Sequence, residues 1–231
     1  QNLSIGAGLF LLLISGGLYG RVRHIRKSKA TIETERDRSD MLLHNILPAD
    51  VAAELKENGN SEARDFEEVT VLFTDFVGFT ETAGKLSAQE LVAEVNTCFK
   101  AFDEIIDKYQ IEKIKTIGDA YMAAGGLKTP KISEPKGVVK AAFEMQLFMK
   151  NRYAERSAQN LPAFEMRVGI HTGPVVAGIV GVKKFQYDIW GDTVNTASRM
   201  ESNGEVGKVN ISNDTYELIK DDSLFTFESR G

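Results

Sequence analysis

The sequence predicts an α+β sandwich, with helices packed on a mostly antiparallel sheet. Three observations carry this expectation. Strand-like and amphipathic helical stretches alternate from residue 69 onward. Ile111, Tyr121 and Met122 flank Gly118-Asp119 with polar residues between, the pattern of two strands joined at a tight turn. The 231 residues are 42% hydrophobic and 26% charged, enough for one domain with a sizeable core and a smaller appendage.

The appendage comes first. Residues 3–19 are apolar or small and uncharged, just long enough to cross a bilayer as a helix. A signal-peptide core is the competing reading. However, the basic residues Arg21, Arg23, His24, Arg26, Lys27 and Lys29 follow the run instead of preceding it. By the positive-inside rule they place the rest of the chain in the cytoplasm, with lipid headgroups as partners of the cluster. The expectation is thus a membrane helix over 1–20, anchored in the inner or plasma membrane, with Gln1 inside an apolar run of a longer protein. Residues 22–46 contain no proline or glycine, and Val22, Ile25, Ile32, Leu43 and Ile46 lie on a 3-4 spacing interrupted by polar positions. Two readings fit, a solvated single helix or a short dimeric coiled coil over 21–47 whose polar seam residues set register.

Leu47-Pro48 ends that helix, since a proline pushes its predecessor out of the α region. Residues 49–57 form a second short helix closed by Asn58-Gly59, and 60–65 are a polar linker. The main domain runs from 66 to 231. Strand 69–76 ends in Asp75-Phe76. Ser87 with Glu90 makes a capping box for a helix running to about Tyr109, its core face Leu91, Val95, Phe99, Phe102 and Ile106. After the hairpin, helix 136–154 turns Val139, Ala142, Met145, Phe148 and Met149 inward. Strand 164–171 leads through Thr172-Gly173-Pro174 into a second strand, 175–180. Helix 192–202 carries Asn195 and Arg199. Strand 209–211, helix 215–220 and strand 224–227 complete the expected elements.

The charge balance of −5 argues against nucleic acid as a partner, since phosphate backbones call for a basic face. The single cysteine, Cys98, excludes an internal disulfide and sits at a buried helical position. Asp119 at its turn has two readings, a plain turn former or half of a site shared with Asp75. Two strand-end carboxylates side by side form a hard-oxygen site suited to Mg²⁺ or Mn²⁺. Asn195 and Arg199, i and i+4, share a helix face.

Four phrases occur in order: Phe73-Thr74-Asp75-Phe76-Val77-Gly78-Phe79-Thr80, Lys113-Ile114-Lys115-Thr116-Ile117-Gly118-Asp119, Tyr187-Asp188-Ile189-Trp190-Gly191-Asp192-Thr193-Val194-Asn195 and Ala197-Ser198-Arg199-Met200. With them the chain resembles the catalytic domain of class III nucleotidyl cyclases over roughly residues 66–231, and residues 48–65 resemble the transducing segment of membrane-bound members. The resemblance implies a ferredoxin-like sandwich. It implies an adenylate cyclase that converts ATP to 3′,5′-cyclic AMP and pyrophosphate with two divalent metal ions, Mg²⁺ or Mn²⁺. Asp75, Asp119 and the Phe76 carbonyl would hold metal. Backbone N–H groups at Phe79 and Thr80, with Arg167 and Lys208, would hold the triphosphate, Arg167 and Lys208 having the competing reading of exposed charges at a strand edge. Asn195 would orient the ribose and Arg199 would stabilise charge at the α-phosphate, a surface contact of Arg199 with Glu201 being the other reading. Lys115, Asp188 and Ile189 would bind the base. An acceptor-only Asp188 suits the N6 donor of adenine and a donor-only Lys115 suits its N1 acceptor; guanylyl members carry Glu and a small residue there. The family's site forms between two domains, so a homodimer is expected, membrane-coupled and signalling. A guanylate cyclase or a catalytically weak nucleotide-binding relay are the alternatives. His171 is expected as a packed strand histidine, and a closing C-terminal hairpin usual in the family is expected to be missing.

Overall fold

The computed structural model describes residues 2–44, 46–127, 134–181 and 184–230. They divide into two compact units, 1–60 and 61–231. In the first, one continuous helix, α1 (Asn2–His44), covers both the apolar run and the basic segment. Ile25, Ile32 and Ile46 stand exposed in the single chain. The expected membrane span, 3–19, falls mostly on residues whose side chains lie outside the described set. Among the described residues no helix is long and apolar enough to cross a membrane. Helix α2 (Ala49–Asn58) ends at Gly59, whose φ of 75° is the left-handed cap that glycine adopts without a Cβ penalty.

The second unit is built on a six-stranded sheet. In chain order come β1 (Arg64–Val77), α3 (Phe79–Ala83), α4 (Ala88–Lys108), β2 (Glu112–Ile117), β3 (Ala120–Gly125), α5 (Pro135–Ala158), β4 (Glu165–Val180), β5 (Gln186–Trp190), α6 (Asp192–Ser202), β6 (Val209–Ile211) and α7 (Asn213–Ile219). The strand order is β2-β3-β1-β4-β5, with β6 also on β4. Every pairing is antiparallel except β4 with β6.

Leu72 and Phe76 of β1 and Met166, Val168 and Ile170 of β4 pack with α4, α5 and α7 in one core. Alternation turns Gly169 to the opposite face, where a Cβ would sit 1.9 Å from the backbone nitrogen of Glu201. Helix α6 therefore lies directly on the sheet's second face, and only a glycine permits that approach. Covered on both faces, β1 is buried without a break from Val69 to Thr74, not at alternate residues. Ser87 and Glu90 form the reciprocal capping box at the start of α4.

Three expectations are corrected. The strands expected on either side of Gly173-Pro174 are one sixteen-residue strand, β4. The pairing of β1 shifts register between Phe66 and Val69, opposite Gly173 and Val175, so the proline that lacks an N–H faces a bulge in its neighbour. Residues 224–227 form no strand; Phe225 stacks on Phe143 and Phe227 meets the edge of Tyr216, so the tail is held by rings. Residues 77–80, expected as a loop, run into a short helix, Phe79–Ala83, and 186–190 form an additional strand.

Candidate active site

Asp75 lies two residues before Val77, the last residue of β1, and pairs across the sheet with Arg167 of β4. Thr74 pairs with Tyr121 of β3, so the Gly118-Asp119 turn reaches back beside Asp75. Gly118 has φ 63°, the positive first position of a type II′ hairpin turn. The two carboxylates are close enough to matter to each other. Burial, with repulsion from Asp119 and Glu201, raises the Asp75 carboxyl above its ordinary range, outweighing the opposite pull of Arg167.

Arg167 bridges two of these acids. Its Nε donates to Glu201 Oε1 at 3.0 Å and its Nη2 to Asp75 Oδ2 at 3.1 Å. Glu201 was visible in the sequence only as the alternative partner of Arg199; in the structure it is buried and belongs to Arg167. The signal lay in the helix period. Thr193, Ala197 and Glu201 repeat every four residues and form the buried face of α6, where a carboxylate calls for a cation. Asn195 and Arg199 lie on the exposed face, and neither side chain has a hydrogen bond or ion pair among the described residues.

On the other side of the sheet path, Lys115 Nζ of β2 donates to Asp188 Oδ2 of β5 at 2.5 Å. Asp188 Oδ1 also accepts the N–H of Ile189 at 2.9 Å, and the Ile189 side chain is core. A register shift between Lys113 and Lys115 separates two lysines that strict alternation would place on one face. Lys113 goes to Asp103 of α4, at 2.7 Å and 3.0 Å from its two oxygens, and Lys115 goes to Asp188.

The remaining expected residues are spread around these groups. Gly78 has φ 63° and caps α3, so glycine is favoured there by backbone conformation. Phe76 and Phe79 pack with Phe164 in a stacked aromatic cluster, leaving only their main chain to face a ligand, while Thr80 is exposed. Lys208 precedes β6, whose Val209 pairs with Val168, so it shares the sheet end of Arg167; it is exposed and paired with Glu205 at 2.8 Å. His171 is half-buried, its Nδ1 2.7 Å from Ser212 Oγ, and burial lowers its pKa. Burial pushes the Cys98 thiol up to about 12, so it is no nucleophile.

Two groups result, Asp75–Asp119–Arg167–Glu201 and Lys115–Asp188. Among the described residues no hydrogen bond or ion pair joins them. Nor does any cluster of three or more His, Cys, Asp or Glu form a metal cage. Two hard carboxylates in mutual repulsion nevertheless fit Mg²⁺ or Mn²⁺, which take one or two carboxylates and complete their shell with water and phosphate.

Residues 61–231 match the family described as adenylate and guanylate cyclase catalytic domain. An adenylate cyclase of Mycobacterium tuberculosis is 41% identical over 211 residues, 91% of this chain and 46% of that protein. Guanylyl cyclase C of Homo sapiens is 40% identical over 220 residues, 93% of this chain and 20% of its own length. The chain thus spans less than half the length of these curated relatives. Among solved structures, the adenylyl cyclase CyaB from P. aeruginosa aligns with TM-score 0.64 and 33% identity, over 70% of this chain and 84% of that one. The catalytic core of a rhodopsin-guanylyl cyclase with converted specificity, in complex with ATPαS, gives TM-score 0.63 and 35% identity over 70% and 85%. The chain belongs to the adenylate and guanylate cyclase catalytic domain family, the class III nucleotidyl cyclases.

Proposed function

We propose that the chain is an adenylate cyclase that converts ATP to 3′,5′-cyclic AMP and pyrophosphate at sites shared between two copies. The observation that carries this reading is the Lys115–Asp188 pair, a donor-only and an acceptor-only side chain brought together from β2 and β5, the two ends of the strand path. With Asp188 accepting from N6 and Lys115 donating to N1, adenine satisfies both groups. Guanine in the same orientation sets an acceptor, O6, against Asp188 and a donor, N1–H, against Lys115, and such mismatches of buried polar groups discriminate by roughly 10⁴-fold. Guanylate cyclase is the second reading, favoured by the 40% identity to guanylyl cyclase C.

Asp75, Asp119 and the Phe76 carbonyl would hold the two divalent ions. Bound there, the ions supply charge that activates the ribose 3′-oxygen and steadies the leaving pyrophosphate. Arg167 and Lys208, with main-chain N–H groups at Phe79 and Thr80, hold the triphosphate. Asn195 orients the ribose. The guanidinium of Arg199, exposed and without a partner among the described residues, takes charge developing at the α-phosphate, for which its planar fork of donors is suited. The separation of the acidic group from the Lys115–Asp188 pair fits a site completed by a second copy, with the metal side from one and the base, ribose and transition-state side from its partner.

The N-terminal unit is part of the same proposal. Residues 3–19 anchor the chain in a membrane, the basic cluster at 21–29 faces cytoplasmic lipid, and 21–47 pairs with its counterpart to couple the span to the catalytic dimer. The unbroken helix α1 with its exposed Ile25 and Ile32 supports this reading.

The test is product formation by the purified chain with ATP or GTP, each with Mn²⁺ and Mg²⁺, beside an Asp75→Ala control. Cyclic AMP that disappears in the control supports the proposal. Cyclic GMP as the main product overturns the base assignment, and nucleotide binding without any product favours a relay.

A further inference from the structure

Arg167 is held from two sides of unequal firmness. Glu201 is almost fully buried, its backbone lies against β4 at Gly169, and its Oε2 accepts from Ser202 Oγ at 3.1 Å. Asp75, by contrast, keeps a quarter of its side chain exposed, with 25% accessible against 9% for Glu201. The guanidinium gives Nε to Glu201 and one Nη2 proton to Asp75, and Nη1 has no partner among the described residues. A cation already stands on the carboxylate that the cyclase reading assigns to metal.

We propose that Glu201 is a positioning residue that anchors Arg167 through Nε, so that the terminal nitrogens cover Asp75 in the empty site and turn to the triphosphate when a divalent cation takes Asp75. The inference rests on the assignment of Asp75 as a metal ligand. Its physical content is competition. Arg167 and the incoming ion want the same oxygens, and Glu201 weakens the arginine's hold on Asp75 by sharing it, while preventing the side chain from leaving the site. Neutralising Glu201 leaves Arg167 with Asp75 as its one carboxylate, which tightens the block.

The experiment is Mn²⁺ binding to the full chain without nucleotide, followed by electron paramagnetic resonance, for wild type, Arg167→Gln, Glu201→Gln and the double variant. Arg167→Gln is expected to bind Mn²⁺ about two- to fivefold more tightly, the range for a partly exposed ion pair. Glu201→Gln is expected to bind more weakly, and its effect is expected to shrink once Arg167 is also Gln. If Arg167→Gln unfolds because Glu201 is left unpaired, the step from Glu201→Gln to the double variant reads the same competition on a neutral background. Equal weakening by Glu201→Gln in both backgrounds would mean that Glu201 acts by its own charge and would overturn the inference. So would Mn²⁺ binding that needs Asp75 but ignores Arg167. Mn²⁺ binding unaffected by Asp75→Asn would overturn the metal assignment and the inference together.

Discussion

Lys115 and Asp188 lie 73 positions apart and meet at 2.5 Å, joining β2 and β5, the first and last strands in the path of the sheet. The pair, proposed above to recognise the base, is also a clasp between sheet ends. Exchange of its chemistry must be done on both sides at once. Lys115→Glu alone sets two carboxylates against each other and is expected to lose activity on both nucleotides, with a fall in melting temperature equivalent to about 1–3 kcal/mol. Lys115→Glu with Asp188→Ala removes the clash and is expected to prefer GTP over ATP. Initial rates on the two nucleotides, with thermal melts, check this.

Asp75 titrates in the direction set by burial first, then Asp119 and Glu201. Its folded pKa is raised above the ordinary 3.8, so its contribution to stability is complete below that value and is lost as pH rises through the raised pKa. In metal-free buffer near neutrality Asp75→Asn is expected to melt at higher temperature than wild type, and the gain is expected to vanish below pH 3.8. Divalent metal should reverse the order by stabilising wild type alone. Melts at three pH values, with and without Mn²⁺, decide it.

Glu94 is buried on α4 and accepts from Arg152 Nε at 2.9 Å, Arg152 Nη2 at 2.6 Å and Arg156 Nη1 at 2.7 Å. It fastens α4 to α5 on the core face of the sheet. Glu94→Ala leaves two partly buried guanidinium groups without their shared anion, and a loss of about 3–5 kcal/mol is expected. Chemical denaturation measures it directly.

Gly169 fixes how close α6 comes to β4. Gly169→Ala puts a methyl 1.9 Å from the Glu201 nitrogen, so the helix must move. Overpacking of this kind costs about 1–3 kcal/mol, and here the displaced helix also carries Asn195, Arg199 and Glu201. Activity is expected to fall by more than the loss of folded protein accounts for, which a comparison of specific activity with the folded fraction reveals.

Two inactive variants test the shared site. In the proposed shared site Asp75→Ala and Arg199→Ala damage opposite halves, so a mixed dimer would contain one intact site. Mixing the purified variants is expected to restore part of the wild-type rate, whereas each alone stays inactive. Sites completed within one copy would give no recovery.

The sequence by itself determined what depends on near neighbours. The Ser87–Glu90 box sets the start of α4, Gly118 sets the hairpin, and Asn195 and Arg199 share a face because the helix period says so. It also carried the four phrases by which the family is recognised. The tertiary structure decided what depends on distant pairing. A proline in sequence looks like a strand break, and only the bulge in β1 opposite Pro174 lets β4 run through it. Phe225 and Phe227 suggest a strand, yet without a paired neighbour they serve as ring contacts against Phe143 and Tyr216. The partners Lys115 with Asp188, Arg167 with Glu201 and Glu94 with Arg152 lie 73, 34 and 58 positions apart. Local propensity carries no information at such separations, because which charges meet is fixed by strand register and by where a glycine lets a helix settle.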